Sequence, residues 1–365
     1  MKLDDSEPKQ SLKMKCARPG AFFLALLLIS TTGLFLITLS CNRAENAPSF
    51  CSSGSFLDQY SPAFLSQQRT MDDSSSSSNS SSSISSFSAF DHFTVTPSSC
   101  SSAAAPFLLL IVFSRPNAFA RRESIRRTFG SLASSCPSQT INSSTRSIRI
   151  LFILGQVKDA DLQEEIEREA KTYDDVVQSA AFVDGYAEAT RKGIALFHWA
   201  LLHCPQANFV AKADDDCWVN LPRFVKVLRK HQDKEGIFGL FWAQGAPVIR
   251  DPANKWNVPY ADFPEDDFPP YVSGILYAVS RNVVRKLAEA VTVLKYLWHD
   301  DVFITGMAAK EAGVQHWGLA GYDVKGTSWK RTTCAKKAFL AIHYVNDANM
   351  DALWNDKCQS YEVPC

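Results

Sequence analysis

An α/β fold, with a mostly parallel sheet covered by helices on both faces, is the architecture this sequence predicts. Two observations lead to it: apolar runs of strand length rich in branched residues, and helical segments that alternate with them. A third narrows it, because no internal repeat of helical-array length interrupts the alternation. The first strand is expected over 106–114 (PFLLLIVFS), too short for a helix and ended by Arg115 and Pro116. A charged helix follows over 118–129, then a second buried strand over 148–154 (IRILFIL) stopped by Gly155. An acidic amphipathic helix is expected over 159–173, a short extended stretch over 175–183, and a helix with an apolar face over 188–203. The third core strand, 208–213, runs directly into Asp214.

The polypeptide before this folded region has a different character. Residues 21–40 (AFFLALLLISTTGLFLITLS) carry no charge over a length that as a helix reaches across a bilayer core. Lys2, Lys9, Lys13, Lys15 and Arg18 precede the run, whereas only Arg43 follows closely. The positive-inside rule then leaves residues 1–20 cytoplasmic and sends the rest across, a type II topology. A cleaved signal peptide is the rival reading, but the run exceeds the usual h-region of about 7–15 residues. Residues 41–105 are polar and serine-rich, which predicts a disordered stem ahead of a folded head over 106–365. Eight of the ten cysteines lie beyond the membrane edge, where an oxidising compartment allows disulfides whose pairing spacing does not reveal. Asn79 and Asn142 head N-glycosylation sequons. Lysines plus arginines equal aspartates plus glutamates at 38 each, so nothing in the overall charge suggests nucleic acid as partner.

The chemistry-bearing signal is Asp214-Asp215-Asp216, at the end of an expected core strand. Ligands of open α/β sheets bind at the carboxyl ends of strands, and adjacent carboxylates become tolerable when a hard divalent cation takes oxygen ligands from them. Side chains alternate on an extended chain, so Asp214 and Asp216 are expected on one face, with Asp215 turned away. A solvated acidic turn is the bland alternative, and apolar flanks on both sides argue against it. In the second segment, 298–303 (WHDDVF), Asp301 opens a helix that ends near Gly313. An aspartate there caps a helix, and it is equally suited to take a proton from an attacking hydroxyl. A third, 268–277 (FPPYVSGILY), pairs a rigid turn with Gly274, where a ligand can approach the backbone. Arg121, Arg122, Arg126 and Arg127 lie beside the first strand's end, either to meet phosphates and carboxylates or as a solvated face.

These segments, in this order, resemble the inverting β1,3-galactosyltransferase and β1,3-N-acetylglucosaminyltransferase family. The likeness covers roughly 107–356 and is carried by RRESIRRTF (121–129), FILG (152–155), the stretch 173–192, KADDDCWVN (212–220), KWNVPY (255–260), FPPYVSGILYAVS (268–280), DDVFITG (300–306) and AIHYVNDANMDALW (341–354). It implies a GT-A fold, a UDP-sugar donor, Mn²⁺ as cofactor, a β1,3 product and a Golgi membrane address. By motif position Asp216 corresponds to the principal aspartate ligand of the metal, with Asp214 and Asp215 serving metal, ribose or both; His343 corresponds to a late histidine ligand and Asp301 to the general base. Arg122, Arg126, Lys192, Asp214 and Asp215 fall on the donor side, and Trp256, Tyr271, Gly274 and Asp300 on the acceptor wall. Departures from the family pattern gather near the acceptor: Asp300 stands where glutamate is common, and Ile275-Leu276 where glycines are frequent. Phe129 replaces a common tryptophan. The function expected is hexosyl transfer from a UDP-sugar to a glycan hydroxyl on protein or lipid. Its rivals are a catalytically silent glycan-binding module of the same fold and a metal-dependent phosphate-ester hydrolase.

Overall fold

The computed structural model describes residues 25–30, 33–38, 90–100, 105–134, 148–327 and 338–355. They fall into two compact units, Met1–Ser78 and Asn79–Cys365. In the first unit, β1 (Ala25–Ser30) and β2 (Gly33–Thr38) pair as an antiparallel hairpin, from Ala25 opposite Thr38 to Ser30 opposite Gly33. The helix expected over 21–40 is therefore not what the described residues there form. Two apolar runs of six residues flank Thr31 and Thr32, and runs that short are as compatible with strands as with one long helix. No described helix is long and apolar enough to cross a membrane. The two sequons lie outside the described residues, as do most of the expected stem and Cys16, Cys41, Cys51, Cys136, Cys334, Cys358 and Cys365.

The second unit is the α/β head. Its strands and helices alternate as β3 (Phe93–Val95), β4 (Leu108–Phe113), α1 (Phe119–Arg127), β5 (Ile148–Gln156), α2 (Ala160–Tyr173), β6 (Val176–Val183), α3 (Ala189–His203) and β7 (Phe209–Asp214). There follow β8 (Trp218–Val219), α4 (Leu221–Arg229), β9 (Ile237–Trp242), β10 (Tyr271–Ser280), α5 (Arg281–Ala290), a π-helical stretch Val302–Ala308 running into α6 (Ala309–Glu311), and β11 (His316–Gly318). Last come β12 (Tyr322–Asp323), β13 (Ala341–Ile342) and α7 (Asp347–Trp354). The main sheet has the order β11-β9-β10-β7-β4-β5-β6-β3. Four adjacent pairs are parallel and three antiparallel, the antiparallel ones involving β10 and the edge strand β3.

Alternation along β4 explains why both faces are covered. Leu109, Ile111 and Phe113 enter one core with Ile194, Phe197 and Leu287, from α3 and α5, while Leu108, Leu110 and Val112 enter the other with Ile125, Phe224 and Leu228, from α1 and α4. Residues 90–100, which composition assigns to the stem, pack onto this head. Phe90 is buried, β3 pairs with β6, and Cys100 is disulfide-bonded to Cys204 after α3. Cys217 is a buried free thiol.

The chain moves from β4 to β5 to β6 in one direction, then α3 returns it to β7 on the other side of β4. That reversal between β4 and β7 is a topological switch point, and ligands of open α/β sheets bind beyond the carboxyl ends of the strands at such points. Phe113 is in register with Asp214, so Ser114 and Asp215 emerge side by side there.

Candidate active site

Three elements converge on the end of β7. In a small second sheet, β13 pairs antiparallel with β8 and parallel with β12. The Val345 N–H donates to the Asp216 carbonyl at 2.8 Å and the Asn220 N–H to the Leu340 carbonyl at 2.9 Å. This stitching carries His343 to the triple aspartate, with its Nε2 3.2 Å from Asp216 Oδ1. Asp214, Asp216 and His343 each offer one ligand atom, all within 4.8 Å of one another. Two carboxylates and an imidazole form a donor set suited to a divalent first-row ion. Asp215 turns away as alternation predicts and accepts a hydrogen bond from Ser114 Oγ at 3.0 Å.

The electrostatics are those of crowded carboxylates. Burial, with Asp216 and Asp300 nearby, raises the pKa of Asp214 despite Lys212 and His343. Burial also raises Asp215. Asp216 is held below its usual range in spite of burial, because it bonds to His343. For His343 burial works downward, and the bond to Asp216 and the charges of Asp216 and Asp214 overcome it, so its pKa rises. A bound cation would relieve the repulsion among these carboxylates, which Lys212 and His343 offset only in part.

The π-helical stretch brings the second half of the site. Asp301 caps it through Val302 N–H at 2.9 Å, and its other oxygen accepts from Gly274 N–H at 3.0 Å. Burial, then the charge of Asp300, pushes the Asp301 carboxyl up to about 7. Lys212, on β7, links the halves by contacting Asp214 at 2.7 Å and Asp300 at 3.1 Å. On the expected acceptor wall, Gly274 is buried beside Asp301, and Trp256 reaches the same segment by bonding Tyr186 and, through its main chain, His299. Tyr186 is exposed and lies 5.9 Å from the Trp298 ring. Tyr271 instead stacks on Trp242, with ring centroids 6.4 Å apart.

The basic residues expected on the donor side are placed differently, and here the structure corrects the sequence reading. Arg122 has no exposed surface: it is bidentate to Glu169, donates to the carbonyls of Arg115 and Pro116, and reaches Ser114 Oγ at 3.2 Å. Arg126 is bidentate to Asp175 at 2.8 Å and also pairs with Glu169. Arg122 has every donor taken and none left for phosphate, whereas Arg126 Nη1 comes only within 3.8 Å of Glu123; both pin α1 to α2 or to the start of β6. Lys192 is buried too, bonding Asp184 and the Ser114 carbonyl, each at 2.8 Å. Arg122 and Lys192 thus reach the aspartates at one remove, through Ser114. Sequence reasoning gave no site role to Ser114, Asp184, Tyr186 or Lys212, although the last three lie in stretches that carry the family resemblance. Only Lys212 left a signal of its own, as a lysine inside an otherwise apolar strand.

A switch point bearing an aspartate-x-aspartate group, a histidine and a capping carboxylate fits a glycosyltransferase. Residues 120–319 match the galactosyltransferase family model, and the chain belongs to that family as a hexosyltransferase. Among curated relatives, mouse beta-1,3-galactosyltransferase 1 is 26% identical over 281 residues, which cover 76% of this chain and 81% of the relative. Mouse lactosylceramide 1,3-N-acetyl-beta-D-glucosaminyltransferase is 33% identical over 215 residues, 57% of this chain and 55% of the relative. The solved apo structure of the bifunctional glycosyltransferase WbbM matches at a TM-score of 0.37 and 11% identity, over 71% of this chain and 51% of that one.

Proposed function

We propose that the chain is an inverting β1,3-glycosyltransferase that transfers galactose or N-acetylglucosamine from a UDP-sugar to a hydroxyl of a glycan on protein or lipid, with Mn²⁺ as cofactor. One observation carries the reading: a three-ligand cluster, Asp214, Asp216 and His343, is joined through Lys212 to a segment bearing a proton-accepting carboxylate, Asp301. The names of the two curated relatives support a 1,3 linkage, and because they differ in sugar they leave both donors in the proposal.

In this mechanism Asp214, Asp216 and His343 hold the cation, which when bound supplies positive charge to the donor diphosphate. Ser114 fixes Asp215 at the switch point, beside the nucleotide. Asp301, ionised, takes the proton of the acceptor hydroxyl as its oxygen attacks the anomeric carbon. The bond from that carbon to the diphosphate oxygen breaks on the opposite face, so one displacement inverts the configuration. Tyr186, Trp256 and Trp298 flank the segment that bears Asp300 and offer aromatic faces to the acceptor. A Golgi membrane address with a lumenal head completes the proposal. It is supported by the uncharged run at 21–40 and the basic residues before it.

Purified chain incubated with a panel of UDP-sugars, Mn²⁺ and simple glycosides tests the reaction. The expected result is a β1,3-linked product from one donor, lost with Asp301→Asn while UDP binding persists. Phosphate release without glycoside product would favour a hydrolase, and full transfer by a folded Asp301→Asn variant would remove Asp301 as base.

A further inference from the structure

We infer that Lys212 is a positioning residue whose ammonium locks the segment bearing Asp301 against the strand end bearing the aspartate cluster. The inference rests on the glycosyl-transfer reading and assigns a role to a residue that takes no part in its chemical steps. Lys212 is 2% exposed, and its Nζ meets three oxygens: it donates to the Gly274 carbonyl at 2.6 Å and pairs as an ion with Asp214 Oδ1 at 2.7 Å and Asp300 Oδ2 at 3.1 Å. The acceptors belong to three chain segments: the end of β7, strand β10, and the residue before Asp301. Phe113 of β4 lies against the same group, its ring centroid 4.6 Å from Nζ.

Gly274 makes the arrangement possible. Its carbonyl accepts from Lys212 while its N–H donates to Asp301 at 3.0 Å, so one peptide segment is held from both sides. A β-carbon here would sit 3.1 Å from Lys212 Nζ and 3.3 Å from the Asp301 β-carbon, closer than side chains ordinarily pack. Glycine at this position is thus explained by the approach of two protein groups. With almost no surface, Lys212 acts on the reaction through Asp214, Asp300 and Gly274. Displacing a reacting group by about 1 Å costs on the order of a hundredfold in rate, which is the size of effect such a lock controls.

The test compares Lys212→Met, Asp300→Asn and the double variant in the full chain. Thermal unfolding, Mn²⁺-dependent UDP binding and transfer kinetics are measured for each. Lys212→Met is expected to lower kcat about a hundredfold. UDP binding should stay within about threefold of wild type, because removing a cation from Asp214 does not weaken its hold on a metal. Asp300→Asn should lower kcat as well, and the double variant should lose little more than Lys212→Met, since both changes cut one linkage. Should Lys212→Met fail to fold, Asp300→Asn carries the test with the lysine in place. Parallel losses of binding and kcat, or additive losses in the double variant, overturn the inference. A wild-type chain that transfers nothing brings down the glycosyl-transfer reading itself, whereas an active wild type with unchanged kcat in Lys212→Met brings down only the lysine's role.

Discussion

Two charge clusters in the head are built from the same kinds of residue and differ in balance. Where α1 meets α2, Arg122 and Arg126 pair closely with Glu169 and Asp175, with the more exposed Glu123 at 3.8 Å from Arg126. At the end of β7 five carboxylates gather, Asp214, Asp215, Asp216, Asp300 and Asp301; Lys212 pairs with Asp214 and Asp300 and His343 with Asp216, while Arg121 acts on Asp215 and Asp216 by charge alone. A cluster whose cations are matched by close carboxylates holds elements together. A cluster with surplus negative charge is relieved when a cation joins it; burial first, then Asp216 and Asp300, raises the Asp214 pKa there. Binding capacity follows from the imbalance, more than from how many charged residues a segment contains.

The balanced cluster is where substitution should cost most stability. Arg122→Met leaves Glu169 buried without its main partner, and breaking such a pair from one side costs about 3–5 kcal/mol. Denaturant unfolding should therefore show a large loss for Arg122→Met and a much smaller one for the double change Arg122→Met with Glu169→Leu. If the single change left stability intact, the latch would not be what holds α1 to α2.

That latch also marks the limit of what the sequence conveys. Strands β4, β5 and β7 were legible because buried parallel strands are near-continuous apolar runs, and the triple aspartate could be placed because it follows the last of them directly. Arg122 could be read only as a ligand for phosphate or carboxylate, or as a solvated face, because its partner is 47 residues away on a helix that reads as acidic and exposed. The π-helical turn after Asp301 has no periodicity of its own to detect. Strand β10 lies antiparallel beside β7, a pairing that alternation of strands and helices does not anticipate. The apolar run at 21–40 has the length of a spanning helix, yet it also divides into two runs of strand length.

On the unbalanced side, Asp216→Ala should act on ligand binding more than on the fold. Removing one ligand from the cluster leaves Asp214 and His343, and UDP affinity in the presence of Mn²⁺ should fall about 10–100-fold. Titration calorimetry with and without the cation separates this from a loss of nucleotide contacts, because UDP binding without Mn²⁺ should change little. Equal losses under both conditions would count against the cluster as a cation site.

The smallest and most diagnostic effect is one of pH. Asp301 accepts a proton only when ionised, and burial, then Asp300, pushes its carboxyl up to about 7 against the pull of Gly274 N–H and Lys212. Transfer should therefore rise about tenfold per pH unit below 7 and level off above it. Stability runs the other way. Between the ordinary 3.8 and about 7 the folded state keeps a proton that the unfolded chain has released, so the Asp301 contribution weakens as pH rises through that window. Asp216, held low by His343, has the opposite sign, its contribution being present above its unfolded value and lost as pH falls through its folded one. Asp300→Asn removes the second of the causes that raise Asp301, so the midpoint of the activity limb should move to lower pH even where the plateau falls. A limb that stays in place would mean that Asp300 does not set the ionisation of Asp301. A rate independent of pH from about 5.5 to 8 would mean that Asp301 is not the group that accepts the proton.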